Sequence, residues 1–441
     1  MTTTDGCNGS DKKSQAREIF LHALSQASVA GAFSRQVHCA RGILRVCDDL
    51  YDLQAYSRVF VVSIGKAGHT MAEALTQIVG EGMIEGIVAC PDDPPFQVRG
   101  FRYFRGGHPT PNAESVAAAS AILRALNAQT AASLVIFLIS GGGSSMVEMA
   151  MDVETSLDDL IATHRALVLS GAPIAEINAI RKHLSAVKGG RLARVAYPAQ
   201  QVSLLVSDVP ETALDALASG PTMPDSATEF DCYRIAEQYG LVPQFPESVR
   251  ELFERRALEE TPKSDDPAFV GARWWTVLSN HSVVETARAA AERAGYSVHV
   301  DNFCDDWEYA RAAAYLLERL RDLRKNSARI CLISGGEVTV KVTNGGVGGR
   351  NQQFVLECAR NISGEDITVL SAGTDGVDGN SPAAGAVADG TTAERAQARG
   401  FDISAALTKF DAYPLFKALA DVIEIGPTGN NLRDLRVLLV E

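Results

Sequence analysis

One stretch of the sequence combines glycine with hydroxyl side chains directly after an apolar run. The residues LVIFLI (134–139) are followed by the loop SGGGSS (140–145). Glycine lets backbone N–H groups approach an anion closely, and serine hydroxyls add further donors. We therefore predict a phosphate-binding loop, although the pattern alone is also typical of a flexible turn. The predicted ligands are Ser140, Gly141, Gly142, Gly143, Ser144 and Ser145.

Two cations lie next to glycines in comparable places. Lys66 follows the apolar run 58–64 and is preceded by Gly65, and Arg350 stands in GGVGGRNQQF before a predicted helix. A lysine beside a buried strand is desolvated unless it meets an anion, and a guanidinium can clamp carboxylate or phosphoryl oxygens. We predict that Gly65, Lys66 and Arg350 contact phosphate. Lys66 could instead be a surface residue in a turn.

Two aspartates, Asp208 and Asp375, each follow the end of an apolar run. Carboxylates that converge at a sheet edge can hold Mg²⁺, or one of them can accept a proton from a hydroxyl group. Both aspartates are therefore candidate metal ligands and candidate catalytic groups. The residues alone leave open which one has which role, and each could instead cap a helix.

A second glycine loop repeats part of the first. The motif LISGG occurs at 138–142 and again at 332–336, so Gly335, Gly336 and Glu337 form a further candidate nucleotide-binding loop. No GxxxxGK[ST] motif is present, and no GxGxxG follows a predicted strand, so the loops match neither a P-loop nor a dinucleotide fingerprint.

Three kinds of polar residue complete the candidate site. Lys188 precedes two glycines after a basic amphipathic stretch and is a candidate phosphate ligand, although such a stretch is usually a solvated helix face. His108 lies in GGHPTP, a turn made rigid by two prolines, where the backbone could equally satisfy it. We predict that His108, Asn351 and Asn430 contact the substrate.

The elements that position these residues are short apolar runs alternating with alanine-rich amphipathic stretches. Such runs are typical of strands buried on both faces, and intervening helices predict βαβ units with mostly parallel sheets. Ligands of such sheets bind beyond the carboxyl ends of the strands. Asn112 is a predicted N-cap, and Ser282 with Glu285 predicts a capping box. The predicted strands are 58–64, 85–90, 134–139, 201–206, 274–278, 329–333, 366–371 and 435–440.

The composition excludes several classes of protein. A net charge of −13 argues against binding to nucleic acid or anionic membranes, since both require a basic face. The eight cysteines form no CxxC pair and no zinc-site spacing, which predicts free thiols. The polar start does not resemble a secretion signal, and no apolar run reaches the about 20 residues that span a bilayer. We predict a soluble, cytoplasmic protein.

Taken in order, the motifs resemble the type-2 glycerate kinase family, whose carboxyl-terminal region is called the MOFRL domain. The resemblance covers the chain from about residue 15 to its end. The motifs that carry it are SIGKAG (63–68), GGHPTP (106–111), LISGGGSSM (138–146), NAIRKHLSAVKGGRLA (178–193), VSDVP (206–210), SGPT (219–222), SGGEVTV (334–340), GGRNQQ (348–353), GTDGVDG (373–379) and PTGNNLRDLRV (427–437).

This resemblance implies a fold of two α/β domains with the active site in the cleft between them. The amino-terminal domain (13–258) is expected to be Rossmann-like, with a mostly parallel sheet and flanking helices. The carboxyl-terminal α/β domain (272–441) is expected to be the MOFRL domain.

The same resemblance implies an activity. The family transfers the γ-phosphoryl group of ATP, with Mg²⁺, to the 2-hydroxyl of D-glycerate, giving 2-phosphoglycerate. Lys66 and Arg350 match the family's key cations, and Asp208 and Asp375 match its acidic positions. ATP and D-glycerate are thus the expected partners of a monomer or homodimer. The alternatives are an NAD(P)H-dependent hydroxypyruvate reductase and a nucleotide-binding regulator without activity.

Two departures from the family pattern fall near the expected site. Glu211 and Thr212 follow VSDVP, where the family commonly has Gly-Asp, so the geometry of metal or nucleotide binding is expected to differ there. Asn430 and Asn431 replace the usual Thr-Asn, which is expected to change substrate contacts.

Overall fold

A computed structural model describes residues 12–325, 327–342, 345–429 and 431–441. The chain forms two compact units. The first is Val29–Val277, here called the amino-terminal unit. The second, the carboxyl-terminal unit, combines the segment up to Ser28 with Leu278–Glu441. The two-domain α/β fold class is thereby confirmed.

The strands are β1 (Val37–Ala40), β2 (Ile43–Val46), β3 (Asp49–Asp52), β4 (Arg58–Ile64), β5 (Glu85–Cys90), β6 (Phe101–Arg105), β7 (Ser133–Ser140), β8 (Gln200–Val206), β9 (Arg273–Leu278), β10 (Ser297–Val300), β11 (Ile330–Gly336), β12 (Ile367–Gly373), β13 (Gly385–Asp389), β14 (Val422–Ile423) and β15 (Asp434–Val440). All eight predicted strands are among them.

The helices are α1 (Lys12–Gln26), α2 (Val29–Gln36), α3 (Gly68–Val79), α4 (Ala113–Asn127), α5 (Gly143–Met146), α6 (Leu157–Leu169), α7 (Ile174–Leu184), α8 (Arg191–Ala196), α9 (Glu229–Gln238), α10 (Glu247–Glu254), α11 (Asn280–Arg293), α12 (Tyr309–Arg324), α13 (Arg350–Asn361), α14 (Thr392–Ala398), α15 (Ile403–Lys409) and α16 (Ala412–Leu419). None of the described helices combines the length and the apolar character that a membrane crossing requires.

The amino-terminal unit is built on a six-stranded sheet in the order β6-β5-β4-β7-β8-β9. Strands β4 to β8 pair in parallel, as predicted. Every residue of β7 is buried, because helices cover the sheet and its side chains pack into one core with those of α4 and α8. The carboxyl ends of β4, β7 and β8 therefore meet at one edge, where the loops beginning at residues 65, 141 and 207 start.

The carboxyl-terminal unit contains a mixed sheet in the order β10-β11-β15-β12-β13-β14. Only β10 and β11 pair in parallel, so the expectation of mostly parallel sheets is wrong for this unit. The last strand, β15, runs antiparallel between β11 and β12. Its first residue, Asp434, consequently lies opposite both Gly336 and Gly373, the last residues of those neighbours.

The N-caps of two helices were predicted, and one of the two lies where it was expected. Asn112 caps α4 as predicted, accepting the N–H of Ser115 at 2.8 Å. Helix α11 begins three residues before the predicted box: Ser279 is the N-cap, and its N–H donates to the Ser282 hydroxyl at 3.4 Å. Helix α1 belongs to the carboxyl-terminal unit, where Lys13 pairs with Asp421 at 2.9 Å.

Candidate functional site

The loop after β7 offers backbone donors that no described residue uses. Within the described part of the chain, the N–H groups of Gly141, Gly142, Gly143 and Ser144 have no hydrogen-bond acceptor. Gly142 has a φ of +80°, a left-handed conformation that glycine adopts without strain. A loop whose N–H groups are unsatisfied fits an anion, because it supplies several donors at no further cost in reorganisation.

Two residues lock this loop against the neighbouring strand end. The Ser140 hydroxyl accepts the N–H of Ala67 at 3.0 Å and donates to the carbonyl of Ile64 at 3.3 Å. Gly65 has no room for a side chain, because an added Cβ would collide with Ser140. Both residues were predicted to bind phosphate; the structure places them in the support of the loop.

Lys66 lies beside the loop with its side chain exposed. Its backbone N–H donates to the carbonyl of Gly141 at 2.9 Å, which fixes its position relative to the glycines. Among the described residues, none forms an ion pair or hydrogen bond with the Lys66 ammonium. A Cβ on Gly142 would lie 3.2 Å from Cγ of Lys66 and 3.3 Å from Cε1 of His108, so lysine and histidine flank the same glycine.

His108 complements the lysine as a neutral group. Its Nδ1 lies 3.3 Å from the hydroxyl of Ser145. Burial and the positive charge of Lys66 lower the pKa of His108. The imidazole is therefore uncharged near neutral pH and can donate or accept a hydrogen bond without changing the charge of the site.

Asp208 reaches the same loop from β8. Its carboxylate packs directly on Gly141, where an added Cβ would collide with it. The segment that follows, Glu211–Ser219, is a distorted 3₁₀ helix. It brings the hydroxyl of Ser219 to 2.8 Å from that of Ser144. Ser219 was not predicted, and its place in SGPT was the only signal for it.

Lys188 lines a small cavity together with Gly143 of the loop, but its ammonium is held by other partners. Its side chain is fully buried, and its ammonium donates to Glu148, itself fully buried, and to Ser185 at 3.5 Å. Burial lowers the pKa of Lys188, and the charge of Glu148 opposes that shift. This geometry favours an internal ion pair over the predicted contact with phosphate, because a buried ammonium taken from its partner leaves a carboxylate uncompensated.

The second glycine loop has its donors occupied. The N–H of Gly335 donates to Asn302 at 2.7 Å, and that of Gly336 donates to Asn280 at 2.9 Å. The N–H of Glu337 donates to Asp305 at 2.9 Å. Side chains thus fill the places that a phosphate would take at Gly335 and Gly336, and only the side chain of Glu337 extends toward Arg350.

Arg350 is the first residue of α13, and two carboxylates orient it. Its Nε and Nη2 donate to Asp434 at 2.7 and 2.9 Å, and Nη2 also donates to Glu337 at 2.8 Å. Burial lowers the pKa of the guanidinium, but the hydrogen bonds and charge of Asp434 raise it by more, so the pKa lies above its ordinary range. Nη1 has no partner among the described residues, so a fixed cation keeps one donor for a ligand.

Asp434, which orients Arg350, was not among the residues predicted for the site. It is fully buried and reaches Arg350 only because β15 runs antiparallel between β11 and β12. Charged residues at the start of the apolar run DLRVLLV were the available signal, since a buried strand rarely carries a charge without a partner.

Asp375 follows the end of β12 by two residues. Asp375 is half-buried, and its Oδ1 accepts the N–H of Val377 at 3.1 Å. A Cβ on Gly373 would lie 3.0 Å from Oδ1 of Asp375 and 3.5 Å from Oδ1 of Asp434, so the two carboxylates flank one glycine.

Asp378 instead caps α13. It is buried and accepts the N–H groups of Asn351 and Gln352 at 3.0 and 2.9 Å. Burial raises the pKa of Asp378 to about 6, although these N–H bonds act against the shift. Asn351, a predicted substrate ligand, is buried against Asp378 and Ser371. Asn430 lies outside the described residues.

No cluster of three metal-ligating side chains occurs in the described part of the chain. Mg²⁺ does not require one, because it is usually bound by one or two carboxylates together with substrate phosphates and water. Asp208 beside the open glycine loop fits that pattern, as does Asp375.

These features define a two-unit α/β protein with a candidate anion-binding loop at the edge of a parallel sheet. The model of a domain of unknown function, DUF4147, matches residues 15–254, and the MOFRL family model matches residues 330–434. The D-glycerate 2-kinase of Thermotoga maritima is 34% identical over 87% of this chain and 91% of its own length.

Solved structures agree. The crystal structure of a Thermotoga maritima glycerate kinase superposes with a TM-score of 0.84 at 32% identity, covering 98% of this chain and 99% of the other. A protein of Agrobacterium vitis provisionally named hydroxypyruvate reductase is 36% identical over 87% of both chains. The chain belongs to the glycerate kinase family, which confirms the resemblance found in its motifs.

Proposed function

We propose that this protein transfers the γ-phosphoryl group of ATP to the 2-hydroxyl of D-glycerate, giving 2-phosphoglycerate and ADP. The observation that carries the proposal concerns Lys66 and the glycine loop beside it: no described residue pairs with the Lys66 ammonium or accepts the four N–H groups of residues 141–144. Both substrates are anions, and an overall charge of −13 requires that placed donors hold them. The Thermotoga maritima relative carries the name D-glycerate 2-kinase, which supports the choice of substrate and position.

Phosphoryl transfer depends mainly on positioning and on neutralising charge. Lys66 and Nη1 of Arg350 are the two cationic donors proposed to stabilise the transferred phosphoryl group, and the N–H groups of the loop 141–144 bind its oxygens or those next to it. The phosphoryl group leaves the β-phosphate oxygen of ATP and bonds to the 2-hydroxyl oxygen of glycerate, whose proton passes to a base. Asp208 and Asp375 are the candidate bases.

Mg²⁺ would be held by Asp208 or Asp375 and would neutralise the charge of the phosphates. The aspartate that does not bind the metal is left to accept the proton of the substrate. His108, being neutral, is proposed to hydrogen-bond the substrate. A cytoplasmic location and a monomeric or homodimeric state remain predictions.

A reductase is the second candidate, favoured by the name of the Agrobacterium vitis relative. Hydride transfer needs a nicotinamide cofactor, whose usual site shows the fingerprint GxGxxG after a first strand. The loop after β4 reads GKAGH, with Lys66 where the middle glycine would stand. A lysine at that position breaks the dinucleotide fingerprint and supplies a cation for a phosphate.

A coupled ADP-release assay tests the proposal. Purified protein with ATP, Mg²⁺ and D-glycerate should release ADP, and EDTA should stop the reaction. NADH and NADPH should be oxidised with hydroxypyruvate at a negligible rate. Metal-independent oxidation of NAD(P)H without ATP turnover would reject the kinase in favour of the reductase.

A further inference from the structure

A pocket of about 320 Å³ lies within the carboxyl-terminal unit, next to Arg350. Its walls include the side chains of Val340, Val342 and Phe410, and its floor is the backbone of the glycine segment 346–349. The volume is at the lower end of the roughly 300–1,000 Å³ typical of small-molecule sites. The lining thus combines apolar side chains with a guanidinium.

The floor of this pocket is rigid. Asn380 holds the glycine segment with both ends of its amide: Oδ1 accepts the N–H of Gly348 at 2.9 Å, and Nδ2 donates to the carbonyl of Gly346 at 3.0 Å. Gly346 also packs so closely on the backbone of 409–410 that an added Cβ would collide with it. A floor fixed on two sides is preformed for a flat ligand.

Phe410 stands where glycine would be expected. It follows the last residue of α15 and has a φ of +54°, in the left-handed region that a helix end usually fills with glycine. A bulky residue there costs backbone energy of about 1 kcal/mol or more. The half-buried ring of Phe410 lines the pocket, where a flat ligand can stack on it.

We propose that this pocket binds the nucleoside part of the phosphoryl donor, with the base against Phe410 and the phosphates toward Arg350. The inference rests on the proposed kinase function, which supplies two substrates. Glycerate has three carbons that all carry oxygen, so it gains nothing from an apolar wall. The nucleotide combines a flat aromatic ring with phosphates, which matches a lining of apolar side chains and a guanidinium.

Gln353 adds a polar contact at the inner wall. Its Nε2 donates to the carbonyl of Leu407 at 2.7 Å, and its Oε1 has no donor among the described residues. The free oxygen can accept a hydrogen bond from an amino group on the base, such as that of adenine.

Isothermal titration of the full-length protein with ADP and, separately, with pyrophosphate tests the assignment. Phe410→Ala should weaken ADP binding about 10-fold through lost stacking and leave pyrophosphate binding unchanged. Phe410→Gly should do the same while removing the backbone strain, so it keeps the test valid if the alanine variant folds poorly. Phe303→Ala, which removes a ring 70% exposed elsewhere in the unit, is the matched control and should bind both ligands like the wild type.

The outcomes separate this assignment from the kinase proposal. Unchanged ADP affinity in both Phe410 variants overturns the pocket assignment even if the wild type phosphorylates glycerate. Equal losses for ADP and pyrophosphate also overturn it, because they indicate general damage. If the Phe410 variants lose affinity for ADP alone and the wild type does not phosphorylate D-glycerate, the pocket assignment stands and the kinase proposal is rejected.

Discussion

The loop after β7 and the end of β11 carry the same five residues, LISGG, at 138–142 and 332–336. In the first copy no described residue accepts the glycine N–H groups or pairs with the ammonium of Lys66, which lies beside them. In the second copy Asn302 and Asn280 take the N–H groups of Gly335 and Gly336. The carbonyls of these glycines accept hydrogen bonds from the buried Arg436 at 3.0 and 3.2 Å.

This difference shows that a glycine motif specifies a backbone shape and not a ligand. What the loop binds depends on side chains that arrive from distant parts of the chain. Asn280 begins α11 and Asn302 follows β10, so neither lies near the second motif in sequence. The first loop is proposed to bind substrate, and the second to fix the frame that holds Arg350.

The largest effects are expected on replacing the two cations, Lys66 and Arg350, which should differ in their contribution to stability. Lys66→Ala should lower kcat about 100-fold or more with little change in stability, because the ammonium has no described partner to lose. Arg350→Ala should lower kcat similarly and also reduce the unfolding free energy by about 1–3 kcal/mol, because the buried Asp434 loses both hydrogen bonds from this guanidinium and keeps only Arg436, 3.8 Å away. Steady-state kinetics and urea unfolding measure both.

Lys325→Ala, at an exposed position, is the control for these variants and should match the wild type in both measurements. Full activity in either variant would remove that cation from the mechanism. Equal stability losses in both would show that Lys66 is also part of the framework.

A matched pair of glycine variants tests the comparison itself. In Gly141→Ala the new Cβ meets the Asp208 carboxylate, so we expect kcat to fall about 10-fold or more and stability to change little. In Gly335→Ala the Cβ meets Asn280 and lies 2.8 Å from a methyl group of Val284, so overpacking should cost about 1–3 kcal/mol of stability.

Gly271→Ala is the control for the pair, since its added Cβ would meet nothing closer than 3.8 Å. The same kinetic and unfolding measurements apply. If Gly335→Ala lost activity at unchanged stability, the second loop would have to be counted as a ligand site.

A smaller effect concerns the pH dependence of stability through Asp378, which caps the helix that begins with Arg350. Its pKa is about 6 in the folded protein against an ordinary 3.8. The folded state therefore binds this proton more tightly than the unfolded state does. The resulting stabilisation is complete below pH 3.8 and is lost as the pH rises through 6. The shift corresponds to about 3 kcal/mol.

Asp378→Asn should remove this fall in the unfolding free energy between pH 4 and 6, while Asp265→Asn on the surface should keep it. Urea unfolding at several pH values measures the difference. Identical pH profiles for the wild type and Asp378→Asn would contradict the assigned role.

Much of the fold could be predicted because its strands are continuous apolar runs, which a buried sheet demands. The cation Lys66 and the loop 140–145 could be predicted as well, since both follow such a strand directly. The antiparallel insertion of β15 could not, because apolar composition does not encode strand direction. That insertion is what brings Asp434 to Arg350.

Lys188 shows where prediction from a local motif fails. Its sequence context, a lysine before two glycines, is the same kind of signal as that of Lys66, yet its side chain is turned inward onto Glu148. The partner lies 40 residues away along the chain, so no local pattern distinguishes the two lysines.

The most direct test of the account is to identify the product by ³¹P NMR after incubating ATP, Mg²⁺ and D-glycerate with the wild type and with Lys66→Ala. We expect the wild type to form 2-phosphoglycerate and ADP, and Lys66→Ala to form 2-phosphoglycerate about 100-fold more slowly or not at all. Formation of the same product at the same rate by both proteins would contradict the central claim that the open loop and Lys66 carry the reaction.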